Sequence, residues 1–372
     1  MKKAIVWLFT KATDSRNLLR FSKDVIVISF DGQVRVNPLT PPPGVETSFW
    51  INCFADLFIQ AFGLYDGTKN FLIQNLNYLF QRNCKPTIHD LYRLIKAQSF
   101  PLMSRDARYK ESALNRLGGM LCGSLGKTFG FPYMELADLA DNDVIFEIQG
   151  LTVEQQVFVV NVLLTWLFYD KLYNDNDKFH VVGIDDANLV FDKSFENRPD
   201  RGQPIISHLM STVRKSRIFI IVCSQIPHQL GASVHSNSFT KIMFSLANGR
   251  DVECMTKNMG IRDPEQQQYC HKLSQREVIV KFAGRYQEPF LGYVPEVDLF
   301  NNVITNEEIS LNNDRILATI QLTTAPEPPT VVSESEVDEN ELSPEEKAFL
   351  WDVYNRPFVS VTERYRTIDI GG

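Results

Sequence analysis

The sequence of 372 residues contains no copy of the phosphate-binding pattern G-x-x-x-x-G-K-[ST]. That pattern supplies the backbone amides and the lysine with which one large class of proteins holds the phosphates of a nucleotide. The stretch 118–128, GGMLCGSLGKT, comes close, but its first glycine would have to stand at Leu121. Apolar residues recur at helical spacing over 105–121, so we interpret this segment as a helix that ends at a glycine.

Several other signals are absent, and each absence excludes a class of protein. The longest apolar run, 157–169, is too short to cross a bilayer, and Met1-Lys2-Lys3 leads into a short strand-like run rather than a signal peptide. The six cysteines form no C-x-x-C pair, and the six histidines show no metal-ligand spacing with them. We therefore expect a cytoplasmic protein without a zinc site, with reduced, buried thiols at Cys53 and Cys223.

Acidic residues are concentrated in one segment. Residues 327–346 contain eight acids and no base, so the rest of the chain carries a net charge of +1 although the whole carries −7. No stripe of lysine and arginine interleaved with aromatic residues stands out in the sequence. Binding of nucleic acid would therefore need a local basic surface and is not indicated by composition.

The chain alternates short apolar strands with helices. A segment of helical periodicity, 46–140, separates the first two strands from the rest, and further helices are predicted over 153–173 and 206–216. A hairpin is predicted around Gly284. Continuously apolar strands that alternate with helices indicate a parallel sheet covered on both faces. The predicted strands are 4–9, 24–30, 143–148, 179–185, 217–224 and 240–247.

Two adjacent carboxylates end one of these strands. Asp185 and Asp186 directly follow the apolar run 179–184. A buried strand that ends in two acids is how many nucleotide hydrolases place one carboxylate on Mg²⁺ and a second beside the attacking water. Solvated acids at a strand end or a helix cap give the same pattern, so it indicates a nucleotide site only together with other features.

Polar and basic residues flank the next strand. The predicted helix 206–216 ends in bases, Arg214 among them, and the strand 217–224 leads into Ser224 and Gln225. Ligands of open α/β sheets bind at the carboxyl ends of the strands, where Gln225 could sense the γ-phosphate of a nucleotide. Arg214 could neutralise charge in a neighbouring subunit's transition state, although bases also complement a helix C-terminus.

The order and spacing of these features resemble the HerA–FtsK superfamily of P-loop motor ATPases, in particular HerA-like translocases and conjugative coupling ATPases. That family's pattern R-K-x-G, apolar strand, [ST]-Q matches residues 214–225, except that Arg217 replaces the glycine. Further segments resemble the region after the family's P-loop helix and its later strands: 10–19, 36–39, 240–251 and 276–285.

The resemblance implies a RecA-like P-loop NTPase core, with a mostly parallel sheet and helices on both faces. It implies an ATP- and Mg²⁺-dependent motor that moves DNA as a homo-oligomeric ring, a hexamer. The implied site roles are Mg²⁺ binding for Asp185, water-positioning base for Asp186, nucleotide contact for Ser224, γ-phosphate sensing for Gln225, and a finger into the neighbouring subunit for Arg214.

The resemblance also implies a domain plan and two departures from the family. The core spans 1–45 and 141–300, and around it lie a helical insertion (46–140), an acidic linker (301–343) and a partial winged-helix-like segment (344–372). Asp186 stands where the family has glutamate. The family's P-loop would lie about 20 residues upstream of Ile5. We therefore expect a fragment without the P-loop unit that hydrolyses little or no ATP alone.

Two other functions use the same fold. A non-catalytic ring or adaptor subunit would keep the sheet and lose the nucleotide site. A strand-exchange ATPase of the RecA class shares the core, but the helical segment 46–140 and the winged-helix-like segment favour the motor.

Overall fold

A computed structural model describes residues 4–82, 85–174, 177–196, 210, 216–286, 288–296 and 304–325. Its central feature is a sheet of five parallel strands in the order β2-β3-β1-β4-β5. The strands are β1 (Ile5–Thr10), β2 (Val25–Ile28), β3 (Asp143–Glu147), β4 (His180–Ile184) and β5 (Ile218–Val222). Each was predicted from its apolar run.

Side chains from alternate positions of the strands enter two different cores. On β2, Ile26 and Ile28 join the large core of the molecule, whereas Val25 and Val27 join a smaller core on the other face. This alternation is the period of two that a strand imposes on its side chains. Because both faces are apolar, the sheet is covered by helices on both sides, as in a RecA-like core.

Between β2 and β3 the described residues form six helices, whose side chains contribute to the same large core as the sheet. They are α1 (Thr47–Phe62), α2 (Asp66–Arg82), α3 (Ile88–Ala97), α4 (Arg105–Leu121), α5 (Ser124–Thr128) and α6 (Leu136–Leu139). The predicted helix over 105–121 is confirmed as α4. A short 3₁₀ helix, Asp14–Arg20, follows β1.

Helix α7 (Val153–Tyr173) crosses the large core between β3 and β4 and is buried on nearly all sides. It begins at a capping box, in which Thr152 and Gln155 satisfy each other's backbone amides. No helix within the described ranges combines the length and the apolar character needed to cross a membrane.

A second, antiparallel sheet lies beyond β5 in the chain. It contains β6 (Thr240–Met243), β7 (Glu277–Phe282) and β8 (Phe290–Tyr293), with the predicted hairpin at Gly284, whose φ is +89°. The strand predicted over 240–247 was expected among the parallel strands, but β6 pairs with β7 instead. Further α-helices of the described residues are α8 (Lys193–Glu196), α9 (Ala232–Asn237), α10 (Gly249–Met259), α11 (Pro264–Cys270) and α12 (Asn306–Leu317). The helix predicted over 206–216 lies almost entirely outside the described residues.

Helix α12 closes the β2 edge of the parallel sheet. The side chain of Asn313 accepts a hydrogen bond from the Val27 amide (3.0 Å) and donates one to the Val27 carbonyl (2.8 Å), while Asn312 donates to the Val25 carbonyl (2.8 Å). The first part of the segment predicted as a linker, 301–343, is therefore helical and packed. Residues 326–372, which include the rest of that segment and the winged-helix-like segment, lie outside the described residues.

One histidine is fully buried at the start of β4. The Nε2–H of His180 donates to the Ala140 carbonyl at 2.8 Å, and its ring packs edge-on against Trp7. Burial lowers the pKa of His180 from 6.5 to about 4, so the ring is neutral in the folded chain at neutral pH.

Candidate active site

The ends of β4 and β5 lie side by side at the carboxyl edge of the parallel sheet. The amide of Asp185 donates to the Phe9 carbonyl at the end of β1 (2.9 Å), and the amide of Cys223 donates to the Ile184 carbonyl (2.9 Å). The amide of Ala187 then donates to the Cys223 carbonyl (2.9 Å). The structure therefore places the twin aspartates and the loop that contains Ser224 and Gln225 at one edge, where open α/β sheets bind ligands.

The Asp185 carboxylate is exposed at this edge. Its Oδ1 accepts a hydrogen bond from the Asp186 amide (3.0 Å). The charge of Asp185 also acts on the neighbouring strand end, since partial desolvation of the thiol and then the Asp185 carboxylate raise the pKa of Cys223. Mg²⁺ in nucleotide sites is held by one or two carboxylates together with phosphate oxygens and water, so an exposed carboxylate at a strand end suits that ion.

Asp186 adopts a left-handed backbone conformation, with φ 48° and ψ 43°. Its half-buried carboxylate accepts a hydrogen bond from Lys11 Nζ at 3.1 Å, and the two side chains are 28% and 33% exposed. Lys11 follows β1, so this ion pair spans two neighbouring strand ends. The two aspartates thus have different partners, and Lys11 is a site residue that the sequence analysis missed.

Ser224 and Gln225 continue β5 into the next loop. Ser224 Oγ accepts a hydrogen bond from the Ile226 amide (3.1 Å), which bends the chain, and the side chain of Gln225 is exposed. Cys223 was expected to be a buried thiol, but it is exposed because β5 pairs with one neighbour only in the described chain, whereas Cys53 is buried as expected.

A buried carboxylate holds the loop after Gln225. Asp251, at the start of α10, accepts hydrogen bonds from the backbone amide of His228 (3.0 Å) and from its ring Nδ1 (2.7 Å). Asp251 is 3% exposed. The loop that follows Gln225 is therefore fixed to helix α10 by hydrogen bonds.

Arg214 lies outside the described residues, so its predicted role stays a prediction. The structure does explain its neighbour Arg217, which replaces the glycine of the resembled pattern. Arg217 has φ +56°, a left-handed conformation that glycine adopts without cost. Its guanidinium pairs with Asp177 at 2.6 Å beside the start of β4.

A second acid–base pair, which the sequence analysis also missed, lies at the same edge. Arg16 donates from Nε and Nη2 to the two carboxylate oxygens of Glu147, the last residue of β3, and Ser29 Oγ donates to Glu147 as well (2.7 Å). Arg16 Nη1 donates to Asn306 Oδ1 (2.9 Å), and the hydrogen bond with Glu147 raises the pKa of Arg16. The available signal was an acid at the end of an apolar strand, as at Asp185.

The residues present fit part of a nucleotide site. Asp185 offers a carboxylate oxygen to Mg²⁺, and Gln225 offers an exposed amide at the same edge. Within the described ranges, no group of three or more histidine, cysteine or acidic residues forms a closed metal cage. Mg²⁺ in nucleotide sites takes most of its ligands from phosphate and water, so one or two carboxylates would be enough from the protein. The sequence supplies no phosphate-cradling loop to complete the site.

No family model matches this sequence, and no curated protein does. Among solved structures, VirB4 of Thermoanaerobacter pseudethanolicus is 16% identical, with 79% of this chain and 82% of that chain covered and a TM-score of 0.62. The plasmid coupling protein TrwB in complex with ADP and Mg²⁺ is 10% identical, with 80% and 86% covered and a TM-score of 0.54. At these identities the fold is shared, and the RecA-like P-loop fold implied by the HerA–FtsK resemblance is confirmed.

Proposed function

We propose that this chain is a subunit of an ATP-driven motor of the HerA–FtsK class that moves DNA as a homo-oligomeric ring, a hexamer. The observation that carries the proposal is the position of Asp185 and Asp186, directly after β4 and beside the strand end that leads into Gln225. The fold shared with VirB4 and with TrwB, the latter solved with ADP and Mg²⁺, supports it.

In this proposal Asp185 binds Mg²⁺ and Asp186 positions the attacking water as general base. Ser224 contacts the nucleotide, Gln225 senses its γ-phosphate, and Arg214 acts in the neighbouring subunit's site. These roles follow from the resemblance together with the placement of the first four residues at one sheet edge.

Lys11 adds a condition to this mechanism. A general base must reach the water with a free carboxylate oxygen, and one oxygen of Asp186 is hydrogen-bonded to Lys11. We propose that this pair orients the Asp186 carboxylate and leaves its other oxygen, Oδ1, for the water.

The unpaired edge of β5 is an argument for a further strand in the complete site. Within the described residues β5 pairs only with β4, and Phe219 and Ile221 on it are 57% and 53% exposed. Ile242 on β6 is 52% exposed. Apolar strand edges of this kind are normally paired or covered. We propose that a strand leading into a P-loop pairs with β5, so that the 372 residues hold only part of the nucleotide site.

A nucleotide titration tests this part of the proposal. The 372-residue chain with Mg²⁺ and a fluorescent ATP analogue should show no saturation in the micromolar range, because no lysine-bearing phosphate cradle is present. Micromolar affinity would contradict it. The coding DNA upstream of Met1 provides the second half of the test, since an in-frame G-x-x-x-x-G-K-[ST] is expected there.

DNA-stimulated ATP hydrolysis tests the motor itself in a chain extended to include that segment. Asp186→Asn should lower kcat about 100-fold or more, the usual contribution of a general base. Asp56→Asn is a matched control, because Asp56 also pairs with a lysine, Lys69, at similar exposure but on the helical layer. Equal loss in both variants would remove Asp186 from the mechanism.

The alternative is a non-catalytic ring or adaptor subunit that retains the fold. The absence of the phosphate-binding pattern from these residues favours this alternative. An upstream stop codon or unrelated sequence, together with ring assembly that does not depend on nucleotide, would establish the adaptor over the motor.

A further inference from the structure

A cavity of about 570 Å³ lies beyond the β2 side of the sheet, between the turn after β2 and helices α3 to α5. Its volume is in the range of ligand sites in proteins. None of Asp185, Asp186, Ser224 and Gln225 lines it. Because β2 and β4 are three strands apart, the cavity lies roughly 14 Å or more from the twin aspartates.

The charged residues that line this cavity are mostly cationic. They are Arg35, Arg93 and Lys127, against one acid, Asp31. Arg93 is partly neutralised by Asp90 at 2.6 Å. Lys127 is exposed, and its ammonium group has no acceptor among the described residues. An unpaired lysine beside a second cation attracts an anion.

The cations are held by the backbone around them. Arg35 donates from Nε to the Gly32 carbonyl (3.0 Å) and from Nη1 to the Phe131 carbonyl, which fixes the plane of its guanidinium. Gly32 has φ +94°, and a Cβ there would lie 2.6 Å from the Cβ of Lys127. The turn after β2 therefore packs against the Lys127 side chain only because residue 32 is glycine.

Gly126 is constrained in the same way. A Cβ on Gly126 would lie 2.1 Å from the Leu121 carbonyl oxygen, and the Gly126 carbonyl also receives the Nε2–H of His89 at 2.7 Å. The Gly126-Lys127 pair, which resembles the end of a P-loop but has the wrong register, is thus built into the wall of this other cavity.

Aromatic side chains complete the wall. Tyr92 and Phe131 line the cavity together with the cations. Cations that bind phosphates beside rings on which bases stack are the combination that binds single-stranded nucleic acid. An acidic peptide would use the cations and leave the rings without a role.

We propose that this cavity binds a phosphate group of a single nucleic-acid strand through Lys127 and Arg35, with a neighbouring base against Tyr92. Only the identity of the strand as DNA rests on the proposed function. The site would give the chain a contact with the strand that is separate from the nucleotide edge.

Fluorescence anisotropy with a labelled oligo-dT tests the proposal on the whole chain, without nucleotide, over a series of salt concentrations. Lys127→Gln should weaken binding and lower the slope of log affinity against log salt by about 0.7, because one contact with a single-strand phosphate is lost. Lys272→Gln, at an exposed lysine after α11 that does not line the cavity, should change neither. Tyr92→Leu should weaken binding with the slope unchanged, since stacking releases no counterion.

Other outcomes overturn the proposal. Equal affinity and slope in the wild type and in Lys127→Gln would remove the site. Displacement of the oligonucleotide by ATP or inorganic phosphate in a Lys127-dependent way would identify a free phosphate ligand instead. Lys127-dependent binding of a peptide of residues 327–346, without oligonucleotide binding, would identify an acidic segment as the ligand. Unchanged ATPase activity of the extended chain in Asp186→Asn, with intact Lys127-dependent binding, would count against the motor and not against this site.

Discussion

Removal of Arg16 should destabilise the fold more than any surface substitution, because it leaves the buried carboxylate of Glu147 without its charged partner. The side chains of Arg16 and Glu147 are 11% and 8% exposed, and the pair joins β3 to the 3₁₀ helix after β1 and to Asn306. In Arg16→Met the Glu147 carboxylate would keep only the hydrogen bond from Ser29.

The expected cost follows from the difference between breaking a buried pair and replacing it. Removing one partner of a buried pair typically costs about 3–5 kcal/mol, whereas replacing both partners by neutral groups of similar size is often neutral. We expect Arg16→Met to lower the free energy of unfolding by about 4 kcal/mol. The double variant Arg16→Met/Glu147→Gln should lose clearly less than the two single variants together.

Urea unfolding followed by circular dichroism measures all three variants and the wild type in one cycle. Lys85→Met is a suitable control, since Lys85 pairs with Glu135 while half exposed, and exposed pairs contribute about 0–1 kcal/mol. A loss below about 1 kcal/mol in Arg16→Met, or strict additivity in the double variant, would refute the reasoning that burial sets the magnitude.

Three further predictions concern single positions. Burial lowers the pKa of His180 to about 4, so between pH 6.5 and pH 4 this histidine is protonated in the unfolded chain and neutral in the folded chain. The free energy of unfolding should therefore fall by about 3 kcal/mol from pH 6.5 to pH 4. His180→Gln should flatten this part of the curve of urea midpoint against pH, and an unchanged curve would contradict the prediction. Because Arg217 has φ +56°, Arg217→Gly should be about 1 kcal/mol more stable than Arg217→Ala, and equal melting temperatures would argue against strain there. Asn313→Ala leaves the buried amide and carbonyl of Val27 without partners, so it should lower the free energy of unfolding by about 2–4 kcal/mol and speed hydrogen exchange at the β2 amides. Unchanged exchange rates at these amides would contradict the prediction.

The parallel strands could be predicted from the sequence because each is a continuous apolar run. Since Asp185, Asp186 and Gln225 directly follow two of these strands, their position at the carboxyl edge of the sheet could be predicted as well. The partner of a strand could not be predicted in the same way. The run 240–247 has the length of a strand like the others, yet β6 pairs with β7, because periodicity reports which faces are buried and not which edge is paired.

The ion pairs of the site were beyond the reach of local patterns. Lys11 lies 175 residues from Asp186, and Arg16 lies 131 residues from Glu147. Helix α12 was missed for another reason. Its sequence, NEEISLNNDRIL, has few apolar residues, because the buried face combines only Ile309 and Ile316 with asparagine amides that hold the β2 backbone.

The asparagines of α12 have a consequence for how copies of this chain can associate. They occupy the Val25 carbonyl and both the amide and the carbonyl of Val27 at the β2 flank of the parallel sheet, so these groups are not available to an incoming strand. Among the described residues, β5 is the other edge strand, so extension of the sheet is expected there. Since head-to-tail stacking of sheets requires two available flanks on each copy, this chain is protected from growing into an open-ended fibre through its main sheet, however apolar the remaining flank is.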